Sequence, residues 1–179
     1  MPLVPQLAVA VLGPDRPGVI AALTEVLLAD GGNLEDASMT ILRGQFAMTL
    51  IVNVPRASTQ VESDLATVAS RLDLLVSVRE TVAENADASP SSPYLLRVHG
   101  ADRPGLLHRA TALLASYGAN VTDLQTRLVG TAATPVYVMV IAADVPAAAD
   151  ADGLAGAVDA LARELDVEAT LRPADDDLL

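Results

Sequence analysis

The sequence predicts an α+β protein built from two copies of one βαββαβ unit, and three observations carry that expectation. Gly13-Pro14-Asp15-Arg16-Pro17-Gly18 returns 87 positions later as Gly100-Ala101-Asp102-Arg103-Pro104-Gly105. The same offset maps Gly31-Gly32-Asn33-Leu34 onto Gly118-Ala119-Asn120-Val121, and Asp36 onto Asp123. Within each copy the hydrophobic period switches between the values for strands and helices. The offset then grows only between elements: Phe46 and Met48 align with Tyr137 and Met139, and Leu72-Asp73 with Leu165-Asp166. Self-similarity of this kind marks a duplicated folding unit.

The elements follow in order. Leu7 to Leu12 is a short apolar run suited to a central strand. A helical pattern opens at Pro17, with Val19, Leu23 and Val26/Leu27 on one stripe, and Gly31-Gly32 ends it. Ala37, Met39 and Ile41 alternate with polar residues, and after Arg43-Gly44 so do Phe46, Met48, Leu50, Val52 and Val54. Two alternating runs around a glycine predict a hairpin. Val61, Leu65, Val68 and Leu72 keep the spacing of an amphipathic helix, and Leu74 to Val82 is a last strand. The second copy repeats the series: Leu95–His99, Pro104–Tyr117, Asn120–Val129, Pro135–Ala143, a helix through Leu154, Val158, Leu161 and Leu165, then Val167–Arg172. Such a chain closes most simply as a four-stranded antiparallel sheet with both helices on one face. Its other face and at least one edge strand stay uncovered, and unpaired edges are natural joints. The expected organisation is a first domain over 1–82, an Ala/Ser/Pro-rich linker over 83–93, a second domain over 94–172 and an acidic tail over 173–179.

Composition narrows the chemistry. The net charge is −12 and all eleven basic residues are arginines. Neutralising nucleic-acid phosphates takes clustered Lys or Arg, so direct nucleic-acid binding is disfavoured, as is an anionic membrane surface. Any effect on transcription is expected to run through a protein partner. The absence of cysteine removes disulfides, thiolate catalysis and Cys-based zinc sites. Met1 to Pro5 shows no signal-peptide pattern and no apolar run spans a bilayer, so a cytoplasmic setting is expected.

The signature that invites chemistry is the Gly-x-Asp-Arg-Pro-Gly loop before the first helix of each copy. Proline suits the first turn of a helix, the preceding Asp can cap free N–H groups, and glycine lets another molecule approach the backbone. Exposed N–H groups at the positive end of a helix make a carboxylate seat. The same residues equally make an ordinary helix start, and both readings stand. Arg16 and Arg103 are either clamps for a carboxylate or solvated surface charges. Asn33 and Asn120, at the start of the following strand, are candidates to fix that loop or touch a ligand.

A βαββαβ unit with Asp-Arg-Pro-Gly before its first helix and Gly-x-Asn at the turn into its second strand resembles the ACT domain, a ferredoxin-like fold. The resemblance covers nearly the whole chain, twice. Tandem units with nothing else resemble the glycine cleavage system transcriptional repressor group, and also the amino-terminal region of some phosphoserine phosphatases. What the resemblance implies is regulation by a small amino acid, with glycine or serine the first guess, held at interfaces between ACT domains. The implied contacts are Asp15, Arg16, Gly18, Val19, Asn33 and Leu34, and in the second copy Asp102, Arg103, Gly105, Leu106, Asn120 and Val121. A homodimer and a protein partner are expected. The alternative is a constitutive interaction module, or a stand-alone regulatory subunit of an amino-acid metabolic enzyme.

Other chemistries find less support. A phosphate loop needs Lys and Ser/Thr where Val19-Ile20 stands. His108 is expected on an exposed helix face and His99 in a structural position, with no ligand spacing around either. Glu35-Asp36 and the terminal aspartates read as solvated faces, and Met39, Met48 and Met139 as packing. No catalytic residue, metal site or cofactor is expected.

Overall fold

A computed structural model describes residues 5–81, 90–131 and 134–174. The chain divides into two compact units, Met1–Glu84 and Asn85–Leu179. The first contains β1 (Gln6–Pro14), α1 (Val19–Ala29), β2 (Asn33–Leu42), β3 (Gln45–Asn53), α2 (Ser58–Leu72) and β4 (Leu75–Glu80). The second contains β5 (Ser91–Gly100), α3 (Leu106–Ser116), β6 (Asn120–Thr131), β7 (Thr134–Pro146), α4 (Ala151–Leu165) and β8 (Val167–Pro173). Each unit is a four-stranded antiparallel sheet, ordered β2-β3-β1-β4 and β6-β7-β5-β8.

Alternation decides which sheet face is covered. Leu7, Val9 and Val11 of β1 and Phe46, Met48, Leu50 and Val52 of β3 are buried, while their neighbours in sequence are not. The buried face meets Val19, Leu23 and Leu27 of α1 and Val61, Leu65 and Val68 of α2 in one cluster. The second unit has its own cluster, including Leu96, Met139, Ile141, Leu114 and Leu154. With so few aromatic residues, each core rests on aliphatic contacts worth about 1.5–3 kcal/mol per fully buried Leu or Val. Gly13 and Gly100 mark the tightest strand ends: a Cβ there would lie 2.6 Å from Leu74 and 2.7 Å from Val167.

Several expected boundaries move. α1 begins at Val19 rather than Pro17 and α3 at Leu106 rather than Pro104, while β2 begins at Asn33 as expected. Ser91–Pro93 join β5, which shortens the expected linker, and Pro173 belongs to β8. The remainder of that linker up to residue 89, and residues 175–179 of the tail, lie outside the described residues. The four-residue insertion of the second copy lengthens its hairpin by two pairs, Gly130↔Pro135 and Thr131↔Thr134. Met48 and Met139 pack in the cores, but Met39 is 42 % exposed. Its strand is an edge that the helices leave uncovered, so core-phase alternation there does not bring burial.

Candidate functional site

The Arg-Pro-Gly step of each copy is a turn before it is anything else. Val19 N–H reaches the Arg16 carbonyl at 3.4 Å and Leu106 N–H the Arg103 carbonyl at 3.3 Å. Gly18 (φ 88°, ψ −1°) and Gly105 (φ 85°, ψ −1°) stand at the third position of these turns. Proline second and a left-handed glycine third specify a type II turn. Glycine is thus the residue that caps each helix, proline precedes the first turn, and neither helix start has a side-chain cap. The expectation that Asp15 and Asp102 cap the helices is therefore corrected.

What this turn leaves behind are unpaired donors. The first bond closing α1 runs from Ala22 N–H to the Gly18 carbonyl (3.0 Å), and in α3 from Arg109 N–H to Gly105 (2.9 Å). The N–H groups of Gly18, Ile20 and Ala21 find no acceptor among the described residues, and those of Gly105, Leu107 and His108 are in the same position. They sit at the positive end of an eleven-residue helix, where an anion is favoured. A Cβ placed on Gly18 or Gly105 would meet nothing within 4 Å beyond its chain neighbours, so each glycine faces open space. In the second unit Asp102, Arg103, Gly105, His108, Thr111 and Tyr137 line an open depression over these donors.

The loop is held and charged differently in the two copies. Asp15 N–H donates to the Gly44 carbonyl at 2.9 Å, tying the first loop to the β2–β3 turn. Arg103 pairs with the exposed Asp166 at 3.1 Å, whereas Arg16 has no ion-pair partner among the described residues. His99 Nε2 lies 3.0 Å from Glu168, and His108 is exposed as expected. Val19 and Leu106 are 2 % and 3 % exposed, so their side chains belong to the core and only their backbone can face a ligand.

Asn33, Leu34, Asn120 and Val121 are exposed, but they lie at the far end of the sheet from the loop. Asn33 pairs with Asn53, which pairs with Gln6 at the start of β1, while the loop follows Pro14 at its end. Eight residues of strand put the two places roughly 26 Å apart. Asn120 sits likewise beside Asp144 and Pro93, and its loop follows Gly100. Neither asparagine can fix the loop of its own unit. A β-bulge falls at the same repeat position in both copies, between Leu34 and Asp36 and between Val121 and Asp123. In the first unit the bulged Glu35 accepts from Gln6 Nε2 at 2.6 Å and from Asn53 Nδ2. The sequence signal for the bulge was the repeat itself, since the acid pair Glu35-Asp36 interrupts alternation before Ala37.

Among the described residues no group of three His, Cys, Asp or Glu side chains is placed to hold a metal ion, and no helix is long and apolar enough to cross a membrane. The ACT domain family matches residues 6–79 and again residues 94–165. The chain belongs to the ACT domain family. It is 31% identical over 169 residues to the glycine cleavage system transcriptional repressor of Escherichia coli, covering 92% of this chain and 88% of that protein. A UPF0237 protein of Methanopyrus kandleri is 43% identical over 53 residues, covering 30% of this chain and 59% of that one. The solved structure of an unknown protein from Galdieria sulphuraria matches with a TM-score of 0.82 at 25% identity, over 96% of this chain and 99% of that one. The protein is thus a tandem ACT protein similar to a transcriptional repressor.

Proposed function

We propose that this protein is a non-catalytic regulator that binds a small amino acid between ACT units and passes the signal to a protein partner. The observation that carries this reading is the duplicated set of free N–H donors beside Gly18 and Gly105, the second set lying under an open depression. A ligand carboxylate suits that seat, and the open depression at the second loop offers Tyr137 and His108 for the rest of a small molecule.

The distance between the loop and the start of the second strand adds a condition. A ligand that touches both must take the loop from one unit and the strand start from another. Two edge strands laid antiparallel do this, because the end of one lies next to the loop and beside the start of the other. β2 and β6 are such edges, and Leu34, Ile41, Leu124 and Leu128 leave apolar surface on them. A ligand at that seam favours one packing of units over another, with a coupling of about 1–3 kcal/mol.

The relative's name supports transcriptional control of glycine metabolism, exerted through a partner because a charge of −12 repels nucleic acid. Glycine and serine are the first ligands to try, with affinity of roughly micromolar to millimolar order. A thermal-shift screen against each common amino acid tests this, followed by titration calorimetry. A rise in melting temperature with one of the two is expected, and a flat response to all of them sinks the proposal. The exposed apolar edges also favour a second reading, a constitutive interaction module, which predicts a partner retained equally with and without amino acids.

A further inference from the structure

The sheet face away from the helices differs sharply between the two units. In the first its middle is Ala10, flanked by Thr49 and Ser77, with Ser38 on the edge strand. The next row holds Leu12 between Ala47 and Leu75, and Leu12 and Leu75 are 46% and 72% exposed. Its charges sit towards one end: Asp36 on β2 and Arg79 on β4 close one row, with Ile51 and Ala8 between them, and the bulged Glu35 reaches Gln6 and Asn53 beside it. In the second unit the place of Ala10 is taken by Arg97, that of Thr40 by Arg127 and that of Leu75 by Glu168. In the second unit charge runs through the middle rows of this face; in the first those rows carry small and apolar residues, and charge is confined to one end.

We propose that the open face of the first unit packs on the same face of a second copy of this chain, as a twofold dimer of aligned sheets.

The face is complementary to itself about a twofold axis parallel to the strands. Such an axis lays β2 over the partner's β4 and β3 over its β1. Asp36 then faces an arginine that has no ion-pair partner among the described residues, and Leu12 lies over an alanine. The row with Thr40 and Leu75 likewise sets a small residue over a large one. Small side chains let two sheets approach to the usual spacing of about 10 Å. Four strands about 4.8 Å apart and about 23 Å long present roughly 440 Å² per copy in projection. Two such faces bury roughly 880 Å², below the about 1,000 Å² of a stable specific interface, so a weak, concentration-dependent dimer follows. The face shares β2 with the edge invoked for ligand binding but uses that strand's open-face side chains rather than its unpaired backbone edge, and the inference does not depend on that binding.

Sedimentation velocity on the full chain tests it. A dimer at about 100 µM that dissociates on dilution is expected. Ala10→Arg copies what the second unit already carries at this position, so the fold should tolerate it, checked by an unchanged far-ultraviolet circular dichroism spectrum. It should raise the dissociation constant by at least about tenfold. Asp36→Arg should weaken the dimer, and combining it with Arg79→Asp should restore it, whether or not Ala10→Arg folds. A wild-type chain that is monomeric at about 100 µM overturns the proposal. So does a dimer unmoved by Ala10→Arg and Asp36→Arg, or one the double exchange fails to rescue.

Discussion

At Gly18 and Gly105 the backbone sits at φ 88° and 85°, where a side chain is strained whatever space surrounds it. A Val at either position would block a ligand's approach, but strain would weaken the fold at the same time and confuse the result. The left-handed region costs a non-glycine residue about 1–2 kcal/mol, least for Asn. Gly18→Ala is therefore expected to lower stability by about 1 kcal/mol in urea unfolding, and Gly18→Asn by less. A Cβ at either glycine has no atom within 4 Å beyond its chain neighbours, so the Asn side chain has room and is expected to narrow the approach to the free donors. Paired Gly18→Asn and Gly105→Asn changes should abolish the amino-acid response while leaving a cooperative transition. A response that survives in the folded double variant would remove these loops from the site.

At the scale of elements, the sequence revealed most where period and repeat agreed. The two fifteen-residue helices α2 and α4 fall at positions displaced by one constant offset, as their apolar stripes required. The four-stranded antiparallel sheet followed from the βαββαβ pattern and the hairpin turn, although the order of its strands did not. What alternation does not reveal is which strand is an edge, so Met39 has the phase of a core residue yet is 42% exposed. It also did not reveal the type II turn, because proline and glycine favour a helix start and a turn alike. Contacts between helices were equally hidden: Arg109 of α3 donates to both carboxylate oxygens of Glu164 on α4, at 2.8 and 2.5 Å. This pair holds the Glu164 carboxyl below its ordinary range, chiefly through the hydrogen bond from Arg109. A depressed carboxyl pKa stabilises the fold above the unfolded value of about 4.3, and the gain disappears as pH falls through the lowered one. Wild type and Glu164→Gln should thus differ in melting temperature near neutral pH and converge in acid. A gap that persists below about pH 3 would show that the link is not ionic.

At the scale of the whole molecule, folding and binding make different demands. Each unit closes its own core, with no residue of one cluster shared by the other. A fragment of residues 90–174 therefore carries every described element of the second unit and is expected to melt cooperatively on its own. Its loop and its Asn120 remain at opposite ends of one sheet, so a single fragment cannot offer both halves of the proposed seat. Calorimetry should find the amino-acid heat lost in the dilute fragment, and regained only where fragments associate at high concentration. A monomeric fragment that binds as tightly as the full chain would place the ligand wholly within one unit, at the helix start alone. The start of β6 would then have no part in recognition, and the exposed apolar edge would need another explanation.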